Sequence, residues 1–183
     1  GEVKPNVPRG VVFTFAADHG VAREGVSAYP SEVTPQMVLN FLRGGAGVNV
    51  LARHTGVEVR VIDIGVAYDF GPVPGLLQKK IMHGTNNLLR EPAMTRAQAL
   101  QALQVGIDLA TDAAREGIGL FGTGEMGIGN TTPAAVLIGV LAGALPDTVT
   151  GTGAGLPAGQ LPHKTALVTA AMDRVAGVDD PWV

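Results

Sequence analysis

The apolar residues of the chain cluster in short runs that end in glycine or polar residues. Residues 10–17 form one such run, which is rich in Val and Phe. Continuous apolar runs of this length are typical of strands buried on both faces of a parallel sheet. The pattern predicts four strands, over residues 10–17, 57–66, 118–121 and 148–150.

Between these runs, apolar residues recur at spacings of three and four, which predicts helices. The clearest helix covers residues 95–116, where Thr95 and Gln98 form a capping box and Gly117 ends the helix. Its apolar stripe consists of Leu100, Leu103, Ile107, Ala110 and Ala114. Thr34 is predicted to cap an earlier helix. Further helices are predicted from residue 46 to about residue 55, and over residues 133–145 and 162–176.

Strands and helices alternate along the chain after a short lead-in over residues 1–9. Alternation of this kind is typical of an α/β fold, a parallel sheet with helices on both faces. The length of 183 residues indicates one domain, residues 1–183.

The segment 122–132 reads Gly-Thr-Gly-Glu-Met-Gly-Ile-Gly-Asn-Thr-Thr and connects a predicted strand to a predicted helix. Its glycines allow a sharp turn and close approach to a ligand. Thr131 or Thr132 can cap the helix, and the helix dipole favours an anion above the free N–H groups. The segment therefore predicts a phosphate-binding loop that carries one carboxylate, Glu125.

The same segment partly matches two other motifs. Gly122, Gly124 and Gly127 spell the dinucleotide fingerprint, although the helix starts too late for it. The spacing of the later glycines resembles a triphosphatase loop, but Asn130 replaces the phosphate-binding lysine. A plain glycine-rich turn with an exposed Glu125 is a further alternative.

Other polar residues are expected at the same edge of the sheet. Asp18 and His19 directly follow the first strand, where ligands gather, although Asp18 can equally cap a turn. A second Gly-rich segment, 151–155, follows the predicted strand 148–150. We expect backbone N–H groups of residues 127–130 and 151–153 to converge on one anion.

Two other polar stretches allow a functional and a structural interpretation. Lys164 opens the last predicted helix, where a cation opposes the helix dipole and would suit a bound anion. A solvated lysine is nevertheless the more common situation. Residues 78–91 are polar, and we interpret them as a solvated excursion.

Composition excludes several classes of function. Net charge is -3 and the 13 basic residues are scattered, so a nucleic-acid partner is not expected. The absence of cysteine excludes disulfides and thiolate metal sites, and no metal site or cofactor is expected. The apolar helix 133–145 is too short to cross a bilayer, so we expect a cytoplasmic protein without a membrane partner.

Six motifs, in order, together resemble the phosphoribosyltransferases of the lower-ligand branch of cobalamin synthesis. These motifs are residues 15–21, 32–38, 84–87, 92–95, 122–132, and 151–156 with His163-Lys164. The resemblance implies transfer of ribose 5-phosphate from nicotinate mononucleotide to 5,6-dimethylbenzimidazole, giving α-ribazole 5'-phosphate and nicotinate. It also implies a Rossmann-like sheet, a smaller helical domain, a homodimer and no cofactor.

The resemblance further implies the site residues. Glu125 and Lys164 match catalytic positions of the family. The implied substrate-binding residues are Asp18, His19, Tyr29, Gln36, Met37, Met126, Gly127, Gly129, Asn130, Thr131, Gly151, Thr152 and Gly153. Residues 29–37 correspond to a wall of the benzimidazole pocket.

The family's N-terminal helix and its later Gly-Glu-Gly motif, which carries the general base, do not occur in this sequence. We therefore interpret residues 1–183 as the nucleotide-binding core of a longer enzyme, with the smaller helical domain largely absent. A non-catalytic nucleotide-binding module and, on the lone fingerprint, an NAD-dependent oxidoreductase are the alternatives.

Overall fold

The computed structural model describes residues 9–178, which contain one sheet of four parallel strands. The strands are β1 (Gly10–Ala17), β2 (Glu58–Gly65), β3 (Leu76–Gln78) and β4 (Leu120–Met126). Their order across the sheet is β3-β2-β1-β4. Because all pairs are parallel, the carboxyl ends of the strands lie at one edge, where ligands of α/β sheets bind.

Six α-helices and two short 3-10 segments complete the described part of the chain. The helices are α1 (Val33–Leu42), α2 (Gly47–Thr55), α3 (Arg96–Arg115), α4 (Thr131–Ala142), α5 (Pro146–Val149) and α6 (Leu161–Arg174). The 3-10 segments are Gly20–Glu24 and Ala158–Gln160. The predicted capping box of α3 is confirmed, since the Thr95 hydroxyl accepts from the backbone of Gln98 at 3.3 Å.

Helices cover both faces of the sheet, which confirms the predicted α/β fold. On one face, Phe13 packs in a cluster with Leu109 of α3. On the other face, Val61 packs in a cluster with Val38 of α1. Successive strand residues point to opposite faces, so covering both faces explains why the strands read as continuous apolar runs.

The predicted strand at residues 148–150 is wrong, because residues 146–149 form the short helix α5. Pro146 occupies the first helical turn, where its missing N–H costs nothing. The hydroxyl of Thr148 donates to Leu145 O at 2.7 Å, and that of Thr150 donates to Pro146 O at 2.6 Å. Local hydrogen bonds of this kind override the weak β preference of three residues.

The sheet has four strands as predicted, but β3 takes the place of the predicted strand 148–150, and the sequence pattern did not predict it. It is only three residues long and pairs with β2 from Val61↔Leu76 to Asp63↔Gln78. A run this short between proline, glycine and polar residues carries too little periodicity to predict a strand. Its last residue, Gln78, begins the segment that we interpreted as a solvated excursion.

Strand β4 is longer than predicted and includes the first glycines of the segment 122–132. It pairs with β1 from Gly10↔Leu120 to Ala16↔Met126. A Cβ at Gly122 would lie 3.0 Å from Val12, and one at Gly124 would lie 3.3 Å from the Thr14 hydroxyl. Gly122 and Gly124 are therefore strand residues against β1 rather than a turn over a pyrophosphate, which removes the basis of the dinucleotide fingerprint.

The apolar stripe that predicted helix α3 lies on the outer face of the helix. Leu103 and Ile107 are 47% and 58% exposed, whereas Leu109 and Ala113 are buried against the sheet. This helix has apolar residues on two faces. Periodicity identifies both faces, but it does not tell which of them packs against the core.

The predicted cap residues Thr34, Thr131 and Thr132 all lie inside helices instead. Helix α1 begins at Val33 and α4 begins at Thr131, and neither cap residue, Glu32 or Asn130, makes a side-chain capping bond.

The predicted lead-in over residues 1–9 lies outside the described residues except for Arg9. Among residues 9–178, no helix is both long and apolar enough to span a membrane.

Candidate active site

Glu125 lies at the carboxyl end of β4, opposite Phe15 of β1, and its side chain is 47% exposed. The Oε1 atom is 3.3 Å from Nε2 of His19, which follows β1. The Oε2 atom accepts a hydrogen bond from the side-chain amide of Asn130 at the start of α4. The structure thus brings Glu125, His19 and Asn130 together, as expected from two adjacent parallel strands.

The turn between β4 and α4 is tightly packed. A Cβ on Gly127 would lie 2.2 Å from the Ala17 carbonyl oxygen, so this position has room only for glycine. Gly129 has a φ of 84°, a conformation that favours glycine, and packs on Ala22. The Ile128 N–H donates to the Thr34 hydroxyl at 3.1 Å, which fixes the turn against α1.

Two N–H groups of the predicted anion site are already used inside the protein. Ile128 donates to Thr34, and Asn130 donates to Gly127 O at 3.1 Å. In the described part of the chain, the N–H groups of Gly129 and Thr131 have no hydrogen-bond acceptor. The predicted convergence of N–H groups on one anion stays a prediction, carried at this turn by Gly129 and Thr131.

Lys164 connects the two Gly-rich segments. Its side chain is only 1% exposed, so it is not the solvated lysine that is the more common situation. The Nζ atom donates to the Thr131 hydroxyl at 2.6 Å and to Gly151 O at 2.9 Å. Burial lowers the pKa of the ammonium from its ordinary value of 10.5. Within residues 9–178 no carboxylate forms a salt bridge with it, so its charge lacks a counter-ion.

The second Gly-rich segment reaches the first although it follows a helix, not a strand. A Cβ on Gly153 would lie 2.9 Å from the Thr131 hydroxyl, so the two segments are in direct contact. Gly151 and Thr152 are exposed. The two segments share one edge of the sheet, as expected. The reason differs from the expected one, because Lys164 connects the second segment to the first and no strand precedes the second segment.

Asp18 is part of the scaffold of this edge. It is buried, and its Oδ2 atom accepts from the Ala67 N–H at 2.8 Å. Its backbone N–H donates to Gly65 O, and its carbonyl accepts from Thr85 at 2.9 Å. The Oδ1 atom has no hydrogen-bond partner among residues 9–178. These contacts fix Asp18 against residues 65–67 and Thr85.

Residues 78–91 pack against the carboxyl ends of β1 and β2, so the interpretation as a solvated excursion is wrong. Lys80 lies 3.2 Å from the buried carboxylate of Asp63 and donates to Val66 O at 2.5 Å. Thr85 accepts from Gly20 at 3.2 Å. Asp63, the one acid inside the predicted strand 57–66, could have indicated this contact from the sequence. A carboxylate that is buried in a strand needs a polar or charged partner, and here that partner is Lys80.

This segment and the 3-10 turn Gly20–Glu24 together line a polar cleft of about 430 Å³. Arg23, Glu24 and Arg90 are among the residues that line it, whereas Glu125 and Lys164 are not. Arg90 lies 3.0 Å from Glu24, so the two charges partly compensate each other.

The residues assigned to the benzimidazole pocket lie on and before α1. Tyr29 is exposed, and Gln36 and Met37 occupy the first turns of the helix. Met126 packs in the core cluster that contains Val38 of α1. The bond from Ile128 to Thr34 links α1 to the turn after β4, but no described contact joins Tyr29, Gln36 or Met37 to Glu125.

No group of three or more metal-ligating side chains occurs in residues 9–178.

The sequence is similar to a family model and to several known proteins. A phosphoribosyltransferase family model, DBI_PRT, matches residues 1–182. A protein of Geobacter sulfurreducens described as nicotinate-nucleotide–dimethylbenzimidazole phosphoribosyltransferase is 59% identical over 94% of this chain and 49% of its own length. A protein of Geobacter sp. strain M21 with the same description is 57% identical over 94% of this chain and 50% of its own length.

A solved structure has the same fold. The crystal structure of CobT from Thermus thermophilus superposes with a TM-score of 0.93 at 48% identity, covering 98% of this chain and 54% of that chain. The present chain thus spans about half the length of the relatives that it matches. Because the family model matches nearly the whole sequence, the chain belongs to this phosphoribosyltransferase family.

Proposed function

We propose that this chain carries the nucleotide-binding part of an enzyme that transfers ribose 5-phosphate from nicotinate mononucleotide to 5,6-dimethylbenzimidazole. The products are α-ribazole 5'-phosphate and nicotinate, in cobalamin synthesis. The observation that carries the proposal is the shared edge at which a buried ammonium, Lys164, and an oriented carboxylate, Glu125, flank one glycine turn. The description of the Geobacter sulfurreducens relative supports the choice of substrates.

The phosphate group binds at the turn before α4 and at residues 151–153. A phosphate there would face the positive end of the α4 dipole and the free N–H groups of Gly129 and Thr131. The ammonium group of Lys164, which is hydrogen-bonded to the Thr131 hydroxyl at the start of α4, supplies the positive charge opposite the phosphate. Burying an ammonium without a carboxylate partner is costly, and an arriving anion offsets that cost.

Glu125 acts on the sugar. Departure of nicotinate from the anomeric carbon builds positive charge on the ribose ring. A preorganised carboxylate close to that charge stabilises the transition state more than the ground state. Glu125 is half exposed at the mouth of the phosphate turn, which suits a contact to the ribose.

The incoming benzimidazole binds against Tyr29, Gln36 and Met37 and attacks with its unprotonated nitrogen. Its other nitrogen must lose a proton, so a general base is required. We assign the base to the half of the relatives' length that this chain does not match. The working enzyme is a cytoplasmic homodimer that binds these small molecules without nucleic acid or membrane.

Two measurements test the proposal. The 183-residue chain is expected to bind nicotinate mononucleotide in isothermal titration calorimetry but to form almost no α-ribazole phosphate. A chimera of this chain with the second half of the Geobacter sulfurreducens relative is expected to form product, detected by chromatography. In that chimera, Glu125→Gln should lower kcat about a hundredfold with little change in KM, the usual worth of one preorganised group.

Asp108→Asn is the matched control, because Asp108 is an exposed carboxylate on α3 and should leave kcat unchanged. Absence of nicotinate mononucleotide binding would contradict the proposal. Near-normal turnover by the 183-residue chain would instead locate the base within it, with Glu125 as the first candidate.

A further inference from the structure

The carboxylate of Glu125 has one donor on each oxygen. His19 Nε2 lies 3.3 Å from Oε1, and the Asn130 amide donates to Oε2. The two donors belong to different parts of the fold, the end of β1 and the start of α4. A half-exposed carboxylate with one donor can rotate, whereas two donors on opposite oxygens fix its plane.

We propose that His19 is a positioning residue that orients Glu125 toward the ribose and does not itself contact substrate. This inference rests on the proposed function, because it concerns how Glu125 meets the developing sugar charge. The family resemblance groups His19 with the substrate-binding residues, and the contact with Glu125 gives it a different role.

The surroundings of His19 are built for this contact. The side chain is only 15% exposed although it lies beside the half-exposed Glu125. A Cβ on Gly127 would lie 2.7 Å from His19 Nε2 and 2.8 Å from Cδ2. The imidazole therefore lies directly on Gly127, and any larger residue there would displace the ring from Glu125.

The backbone on both sides of His19 is also fixed. Its carbonyl accepts from Ala22 at 2.9 Å, and the next N–H, that of Gly20, donates to the Thr85 hydroxyl at 3.2 Å. The preceding carbonyl, that of Asp18, accepts from Thr85 at 2.9 Å. These bonds fix the backbone of residues 18–20 against Ala22 and Thr85, while the ring of His19 reaches Glu125 at the end of β4.

The chemistry of the pair favours orientation over proton transfer. A hydrogen bond to a carboxylate requires the proton on Nε2. With its proton on Nε2, the imidazole holds Oε1 in a fixed orientation. The remaining lone pairs of the carboxylate stay free for the sugar, and the group needs no reorganisation when charge develops.

Equilibrium binding tests this role without turnover. The probes are imino-ribitol 5-phosphate, a ribose analogue whose ring nitrogen is protonated, and the neutral anhydroribitol 5-phosphate. The ratio of their Kd values on the 183-residue chain measures how strongly the site prefers a cationic sugar. We expect the wild-type chain to prefer the cation, and His19→Ala to lower that preference about tenfold, the worth of one charge-assisted hydrogen bond.

The affinity for the neutral analogue should stay unchanged in His19→Ala, because the phosphate contacts are intact. His19→Gln should restore most of the preference, since its amide places a donor at the position of Nε2 and a purely structural role would not depend on that donor. His54→Ala is the matched control, because His54 is an exposed residue of α2. Circular dichroism verifies that each variant is folded.

Each result has a distinct meaning. A wild-type preference that survives His19→Ala would overturn the positioning role while leaving the proposed function intact. Failure of the wild-type chain to bind either phosphate would overturn the proposed function and this inference with it. Binding of both analogues with no preference for the cation would refute the inference and the role of Glu125, but not the phosphate site.

Discussion

The two Gly-rich segments of the chain look alike in sequence and differ in structure. Residues 122–132 begin inside strand β4, and Gly127, Ile128 and Gly129 are buried. Residues 151–155 follow the short helix α5 and are exposed throughout. The first segment is therefore shaped by the sheet, whereas the second is held by single contacts, chiefly the bond from Lys164 to Gly151 O.

The glycines of the two segments serve different physical needs. Gly127 is required because any Cβ would collide with the Ala17 backbone. At Gly151 a Cβ would meet no atom within 4 Å, and Gly155 has open space but a φ of 88°. A high density of glycines therefore does not reveal why each glycine is present. Gly127 is needed because there is no space for a side chain, Gly155 because of its positive φ, and Gly151 for neither reason.

The largest expected effect is that of Gly127→Ala. Its Cβ would meet the carbonyl of Ala17, which directly follows the last β1–β4 pair, Ala16↔Met126, and itself pairs with Gly65 of β2. We expect the free energy of unfolding to fall by about 3 kcal/mol, the upper end of the usual overpacking cost. Urea denaturation followed by circular dichroism measures it. A loss below about 1 kcal/mol would mean that the turn relaxes readily and that the two segments are more alike than they look.

Lys164→Met should have the next largest effect, mainly on ligand affinity. Met keeps the apolar stem and removes the ammonium that joins the segments at Thr131 and Gly151. We expect the Kd for inorganic phosphate and for nicotinate mononucleotide to rise about tenfold or more, because charge-assisted hydrogen bonds are lost. Calorimetry measures it. Lys79→Met, an exposed residue at the end of β3, is the control and should leave both Kd values unchanged.

A smaller effect is expected in the pH dependence of stability. Burial lowers the pKa of Lys164 below 10.5, so the folded chain binds fewer protons than the unfolded chain between the two values. The free energy of unfolding should therefore rise with pH in this window for the wild type relative to Lys164→Met. Urea titrations at several pH values up to about 10.5 compare the two proteins. Parallel curves would indicate that Lys164 is better solvated than its burial implies.

The smallest effect should come from Gly151→Ala, the counterpart of Gly127→Ala in the second segment. The added methyl group enters open space, and the backbone of Gly151 is not in the left-handed region. We expect the free energy of unfolding to change by no more than about 0.5 kcal/mol, as for ordinary surface substitutions. A loss as large as that of Gly127→Ala would contradict the contrast between the segments.

The sequence by itself determined the features that depend on short-range pattern. Continuous apolar runs predicted β1, β2 and the start of β4, and the alternation with helices predicted that they form a parallel sheet. The capping box at Thr95 and Gln98 was readable because both of its partners lie within one turn. The motifs at 122–132 and 163–164 also indicated the family before any contact was known.

Only the tertiary structure decided where these local features meet. No local pattern reveals that Lys164 is buried under Thr131, that His19 reaches Glu125 across two strands, or that Lys80 meets Asp63. The same holds for α5, where Thr148 and Val149 of the predicted strand became helical, and for α3, whose predicted stripe faces outward. Local propensities are worth tenths of a kcal/mol, so packing and long-range hydrogen bonds determine the outcome at such sites.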